Sequence, residues 1–456
     1  PDPDRYVHRH AHAEVVIVGA GPAGIAAALA ASERSEDRVI LVDEQAEPGG
    51  SLLHDVTSEI DGRPAAAWLS AALDVLDTRQ NVTVLPRTTA FGYYNHNHIC
   101  LAERLTDHLP SSGAAPRERL WQVRAGRVVL ATGAHERPLV FADNDRPGIM
   151  LAEAVRTYVN RYAAAPGREI VVATTGASPY RVALDAKAAG LGARIVELRS
   201  EAECGPELAA ARGAGIDVRT SQTVVGSKGR MRVSALLVAS VGRDGAVGPP
   251  VEIPCDCVAM SGGWTPAVHL FSQSRGRLTF DTSLDAFVPG RSAQAERSAG
   301  ACRGIYDLAA CLADGAAAGG APRTFSAPAT LTGFVPVRHM PTSRDPSRAK
   351  AFDFQNDVTA KDIALAVREG FRSIEHVKRY TTTGMATDQG KTSSLNALGI
   401  AAGVLDATPP DVGLTTFRPP YTPVTFGAFA GYHKGATFEL TRKTPIDPWA
   451  EAHGAV

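Results

Sequence analysis

A chain of 456 residues is long enough for two or three domains with substantial cores. Its 44% hydrophobic and 21% charged residues are ordinary for a soluble globular protein, and a formal net charge of −1 offers no electrostatic footprint for nucleic acid or an anionic membrane. The longest apolar runs, such as 24–31, fall far short of a bilayer span, and no signal peptide is visible, so a cytoplasmic location is expected. The chain opens at Pro1 rather than Met, which makes it processed, trimmed or part of something longer.

In chain order, residues 1–13, with His8, His10 and His12, read as a solvated arm, because no carboxylate or cysteine follows at ligand spacing. A buried parallel strand is expected over 14–18. It is followed by Gly19-Ala-Gly21-Pro-Ala-Gly24 and an alanine-rich helix to about Ala31. A second strand over 39–42 ends at Asp43 and Glu44. A third, over 82–85, leads into a turn holding Thr88, Thr89 and Ala90. The strand 127–130 ends in Ala131-Thr-Gly133-Ala-His-Glu-Arg-Pro138, a glycine turn at a strand tip.

A second unit begins at Glu169-Ile-Val-Val-Ala173, turns through Thr174-Thr-Gly-Ala-Ser-Pro179 and returns as a strand over 193–197, like a degenerate copy of the first. Cys255-Asp-Cys257 lies in a strand-like run over 251–260. The six cysteines contain no Cys-x-x-Cys and read as small apolar fillers in a reduced protein. The fold class is therefore α/β, a two-dinucleotide-binding-domain, Rossmann-like fold. The first domain takes 1–160 and 263–325, and the second, degenerate one takes 161–262. A linker over 326–349 then leads to a small helical domain over 350–410, with apolar spacing at Ile363, Val367 and Phe371, and to an interface tail over 411–456.

The pattern Gly19-x-Gly21-x-x-Gly24 is weak alone but sits between a buried strand and a helix, with acids at the next strand tip. Gly19 permits the tight turn, Gly21 lets backbone approach a pyrophosphate, and Gly24 lets helix and strand pack. The helix N-terminus then faces the phosphates. Asp43 or Glu44 is placed to accept hydrogen bonds from the adenosine ribose. No basic residue stands beside them to favour a 2′-phosphate. Ser51 follows Pro48-Gly-Gly as a loop over the pyrophosphate, and Ala90 is placed against the adenine. The segment Gly300-Ala301-Cys302-Arg303-Gly304 lacks the carboxylate that would hold the ribityl chain of FAD. NAD is favoured and FAD stays open. The single glycine of 174–179 makes a second nucleotide site a structural relic.

The blocks Ala131–Pro138, Asn144-Asp-Arg-Pro-Gly-Ile-Met150, Arg156-Thr-Tyr-Val-Asn-Arg161, Ser373-Ile-Glu-His-Val-Lys-Arg-Tyr-Thr381, Asp388-Gln-Gly-Lys-Thr-Ser393 and Phe417-Arg-Pro-Pro-Tyr-Thr-Pro-Val424 together resemble the alpha subunit of heterotetrameric sarcosine oxidase. The resemblance implies noncovalent NAD, with contacts at Ala23, Asp43, Glu44, Gln45, Ser51, Ala90, Ala301, Tyr306 and Leu308. It also implies a beta-like partner that carries FAD and oxidises the amine, FMN at the interface with that partner, and gamma and delta subunits. Lys391 and Arg418 are the candidates to face FMN, and no catalytic residue or metal ligand is expected in this chain. The family's ferredoxin-like N-terminal and aminomethyltransferase-like C-terminal domains are absent, so the chain is a fragment or a split subunit.

Residues 352–395 also resemble the [2Fe–2S] domain of opine and amino-acid dehydrogenase subunits. Asp353, Gln355, Asp388 and Ser393 stand where that domain has cysteines, so no [2Fe–2S] cluster is expected. Two other readings stay open: an FAD-dependent dehydrogenase subunit, and a non-catalytic scaffold stabilised by NAD.

Overall fold

Strands that are apolar on both faces belong in the middle of a covered sheet. The computed structural model describes residues 4–110, 113, 115–329, 333–342, 351–433 and 443–455. In it β1 (Tyr6–Val18) and β2 (Val39–Val42) pair in parallel, Val15 against Val39 through Val18 against Val42, and all eight side chains of those two stretches are buried. The sheet runs Val82–Leu85, β2, β1, Glu118–Leu130, His98–Arg104, Thr88–Tyr94, and Glu296–Ser298 joins it beside Glu118–Leu130.

Three local expectations change. The supposed arm is strand: residues 6–13 continue β1 and pair in parallel with 118–125, and His8 Nε2 lies 2.8 Å from the Ala428 carbonyl oxygen. The partner strand is correspondingly longer than 127–130, and the pairing satisfies backbone groups that a free arm would leave to water. Thr88, Thr89 and Ala90 open the strand Thr88–Tyr94 instead of forming a turn, because they pair with Glu103, Ala102 and Leu101. The run 251–260 is two strands in two sheets. Its break is set by Asp256, whose carboxylate accepts the N–H groups of Arg168 and Glu169 at 2.9–3.0 Å. Cys255 and Cys257, both buried, thus pack into different clusters.

Helix α1 (Pro22–Ala31) leaves the tip of β1 with proline at its first position, where the missing N–H costs nothing. It has no polar face because it is covered all round. Against it lies the helix Leu308–Gly319, close enough that a Cβ at Gly315 would come within 2.1 Å of the Ala23 carbonyl oxygen. Alanine and glycine are what this approach admits.

A second sheet, all parallel, has the order Ile149–Leu151, Cys257–Ser261, Glu169–Thr174, Gly192–Glu197, Asp217–Arg219, beside an antiparallel sheet of Gln222–Lys228, Ala235–Ser240 and Val251–Pro254. Of the expected linker, 326–329 and 333–342 are described, and 333–342 is packed down: Met340 is buried, and its N–H donates to the Val140 carbonyl at 2.8 Å. The rest of that linker lies outside the described residues. Helices Ala360–Arg368, Ile374–Thr381 and Ser394–Leu405 share a core with Phe352 and Val412, using Ile363 with partial cover from Val367 and Phe371. No helix among the described residues is long and apolar enough to cross a membrane.

Candidate functional site

The turn between β1 and α1 is shaped by missing side chains. Gly19 sits at φ +98, and a Cβ there would lie 2.2 Å from the Ala131 carbonyl oxygen. At Gly24 it would lie 1.7 Å from the Gly19 carbonyl oxygen, so Gly24 is a packing residue facing the turn. Gly21 and Gly50 face each other, with a Cβ at Gly50 falling 2.8 Å from the Gly21 Cα, so bare backbone borders the space above the turn.

That space is a cavity of about 520 Å³, within the range of small-molecule sites. Gly19, Gly21, Ala23, Ser51 and Gly133 line it near the turn. Asp43, Glu44, Gln45 and Ala90 border it from the strand tips, and Ala301, Tyr306 and Leu308 from the segment leading into Leu308–Gly319. Lys391 reaches it from the helical module. Of the residues singled out from the sequence, only Gly24 and Arg418 do not line it, and Arg418 lies in a different cavity.

The two adjacent acids divide their work. Asp43 is half-buried; its Oδ2 accepts the Ala20 N–H at 2.6 Å and its Oδ1 the Gln45 N–H at 2.8 Å. Burial pushes its carboxyl above the usual range against the pull of those donors. Both oxygens fasten the tip of β2 to the glycine turn. Glu44 is exposed and lines the cavity.

Several wall residues gave no signal in the sequence, because they are brought together from distant segments. His54 Nε2 lies 2.5 Å from Glu153 Oε1. Buried Arg156 donates from Nε to Asp185 at 2.7 Å and from Nη1 to Glu153 at 3.1 Å, and Arg181 donates to Asp55 at 3.3 Å. Burial would raise the Glu153 carboxyl, but His54 and Arg156 more than offset it. Glu136, fully buried with the Glu153 charge beside it, is pushed up to about 8. His135 and His269 are held neutral by burial, with pKa values of about 4 and about 3. His269 stacks on Tyr421 at 4.7 Å, and Lys391 Nζ lies 4.5 Å above the same ring. Burial lowers the Lys391 pKa despite the nearby Glu44.

The lining fits an adenine dinucleotide on two counts. Bare glycine backbone stands where phosphates must come close. Two buried polar atoms of the wall, the Tyr306 hydroxyl and His135 Nε2, have no partner among the described residues. Asp314, a carboxylate that bonds the 300–304 segment, accepts from Gly300 N–H at 2.8 Å and Arg303 at 2.6 Å and does not line the cavity.

The turn 174–179 of the second unit is covered by the chain itself. Ala177 N–H donates to Gly333 O at 2.9 Å and Val335 N–H to Thr175 O at 2.7 Å. This lays Phe334 over Gly176, where a Cβ would lie 2.5 Å from the Phe334 Cβ, and against Gly263. In the helical module, the four cysteine-replacing positions meet in two pairs. Ser393 Oγ lies 3.4 Å from Asp353 Oδ2, and Gln355 Oε1 accepts the Asp388 N–H at 3.3 Å.

Two families match. The pyridine nucleotide-disulphide oxidoreductase family covers residues 13–289, more than half of the chain, and the sarcosine oxidase A3 domain family covers 348–432. Sarcosine oxidase subunit alpha of Corynebacterium sp. (strain P-1) is 44% identical over 480 aligned residues, taking in 100% of this chain and 49% of that one. The same subunit of Rhizobium meliloti (strain 1021) is 44% identical over 100% of this chain and 46% of its own length. The chain thus spans about half the length of these relatives. Among solved structures, L-proline dehydrogenase from P. horikoshii superposes with a TM-score of 0.67 over 93% of this chain and 80% of that one, at 20% identity, a likeness of fold.

Proposed function

The chain belongs to the pyridine nucleotide-disulphide oxidoreductase family, and from that membership and its full-length match to sarcosine oxidase alpha subunits we propose that it is the NAD-holding alpha component of a sarcosine oxidase complex. The observation that carries this reading is the cavity itself, where a bare glycine turn, the exposed Glu44 carboxylate and two orphaned polar atoms line one space. On this reading Gly19 and Gly21 leave room for the pyrophosphate at the N-terminus of α1, and Glu44 accepts the ribose hydroxyls. Ala90 borders the adenine, and Ala301, Tyr306 and Leu308 receive the other end.

In the whole complex, sarcosine and O2 give glycine, H2O2 and formaldehyde, or 5,10-methylenetetrahydrofolate where tetrahydrofolate takes up the one-carbon unit. The amine is oxidised in a beta-like partner that carries FAD, FMN lies at the interface, and gamma and delta chains complete a cytoplasmic assembly. This chain brings no acid, base or nucleophile to the amine. Lys391 and Arg418, the candidates to face FMN, line two different cavities.

A structural role for NAD within that oxidase is favoured by Phe334. The turn 174–179, where a second nucleotide would be expected, is covered by Phe334 and its neighbours, which supports reading the second unit as a structural relic. The purified protein, denatured and its released nucleotide weighed by mass spectrometry, should yield NAD, and the bound NAD should resist reduction by substrate. Release of FAD instead would replace this reading with the dehydrogenase one.

A further inference from the structure

Between the first sheet and the second, the chain crosses through Ala134–Glu136 and returns through Trp264–Pro266, and these crossings pair as short antiparallel strands. Two short paired strands are a place where the bodies they join can turn relative to each other. The two units are also tied by a loop of the first, residues 54–58. Helices Ala152–Tyr162 and Tyr180–Ala188 belong to the core of the second unit, where Ala152, Val155, Tyr180 and Val182 pack with Ile170 and Val172. Against these two helices the loop bonds at almost every residue. His54 meets Glu153 through its ring and accepts the Asn160 amide on its carbonyl at 2.9 Å. The Asp55 carboxylate accepts from Arg156 at 3.5 Å and from Arg181 at 3.3 Å, and the Thr57 and Ser58 hydroxyls accept from Arg181 at 2.8 and 2.9 Å.

Asp55, with a side chain only 8% exposed, is the centre of this joint: it also accepts the N–H groups of Thr57 and Ser58, at 3.2 and 3.0 Å, and so shapes the loop that it anchors. Asp55 and Glu153 each meet an arginine already, so the network closes on itself and its work is to hold one unit against the other. The dinucleotide cavity lies at the same joint. His54 and Asp55 line it from the first unit, and Glu153, Arg156, Ser178 and Arg181 line it from the second. A ligand that touches both bodies favours the arrangement in which they meet. Such coupling is reciprocal, so whatever loosens the joint must also weaken the ligand.

We propose that loop 54–58 is a clamp that couples occupancy of the dinucleotide cavity to closure of the second unit on the first. Thr57 and Ser58 are then positioning residues for the nucleotide, although neither lines the cavity. The second unit, its own turn covered, serves as a wall of the first site. The clamp rests on the reading of that cavity as a nucleotide site and adds how its occupancy is controlled.

Titration of the whole nucleotide-free protein with NAD, set beside a Thr57→Val, Ser58→Ala double variant, tests it. The two substitutions remove hydroxyls that hold Arg181 and leave every cavity-lining side chain in place. NAD should bind the variant about fivefold or more weaker. NAD should also slow hydrogen exchange in residues 180–188 of the unaltered chain, and slow it less in the variant. The control is Arg212→Gln, at an exposed arginine of the same unit paired with Glu201, which should leave both readouts as they were. Unchanged affinity in the double variant, no slowing at 180–188 when NAD binds, or equal weakening by Arg212→Gln would each overturn the clamp, the last showing general softening. If the chain takes up no NAD, the nucleotide reading fails and the clamp is judged without ligand. Exchange at 180–188 should then be faster in the double variant than in the unaltered chain, and equal exchange would overturn it.

Discussion

Asp43 and Glu44 are neighbours of like charge, yet Asp43 is tied into the fold by two backbone donors while Glu44 stands exposed at the cavity, where we propose that it meets the ligand. Asp43→Ala removes the acceptor of two backbone donors in a half-buried turn. It should cost about 1–3 kcal/mol of stability, read as a lower Tm without ligand. Glu44→Gln should leave that Tm unchanged and weaken NAD about tenfold, measured by titration of nucleotide-free protein. If the two variants exchanged these phenotypes, the division of labour would be wrong. Three titratable groups, His135 and His269 of the wall and Glu136 next to His135, make stability depend on pH. His135 and His269 refuse protons down to about 4 and about 3, while the unfolded chain takes them near 6.5. Their contribution is therefore full above 6.5 and is lost as pH falls. Glu136 keeps its proton up to about 8 against a usual 4.5, so its contribution is full below 4.5 and is lost as pH rises through 8. Of these three groups only Glu136 lowers stability between 6.5 and 8, while between 4.5 and 6.5 the two histidines outweigh it. The loss of stability towards high pH should be smaller in Glu136→Gln, and the loss towards low pH smaller in a His135→Asn, His269→Asn double variant, read as Tm against pH.

At the scale of elements, the packing of α1 on Leu308–Gly319 decides the shape of the first unit. Gly315→Ala puts a methyl group into the Ala23 carbonyl, a backbone contact that cannot swing away. We expect a loss of about 1–3 kcal/mol in chemical denaturation, typical of overpacking. Alanine at Gly62, where an added Cβ meets nothing within 4 Å but φ is +73, separates crowding from left-handed strain, because it should show only the smaller strain cost. The same reasoning explains why the second glycine turn had to be seen folded. Its lone Gly176 marks it as unlike the first, but the residue that covers it, Phe334, lies far downstream in what reads as a linker. Nothing in a Pro-containing stretch announces which surface it will press against.

At the scale of the molecule, the nucleotide cavity is walled by both the first sheet and the C-terminal module, since Lys391 and Thr422 line it and Tyr421 stacks on His269. A ligand there should therefore stabilise parts of the chain that are remote in sequence. NAD at about one hundred times its Kd should add roughly 2.7 kcal/mol. Hydrogen exchange should slow in residues 388–424 as well as in the glycine turn. Slowing confined to the turn would mean that the module does not close over the ligand.

Residue order alone carried the first strand-turn-helix unit and the parallel strands that follow it by local rules, and the family resemblance added part of the cavity lining. Buried strands are apolar throughout, glycines stand where Cβ atoms collide, and acids end the second strand. Only the tertiary structure decided what depends on contacts between distant segments. It turned the histidine-rich arm into strand by pairing it with 118–125, and it split the 251–260 run at Asp256. It separated Asp43 from Glu44, brought Lys391 to the nucleotide cavity and took Arg418 to another. Those outcomes turn on which partner a backbone group or charge finds across the fold, and residue order along the chain does not encode that choice in any short pattern.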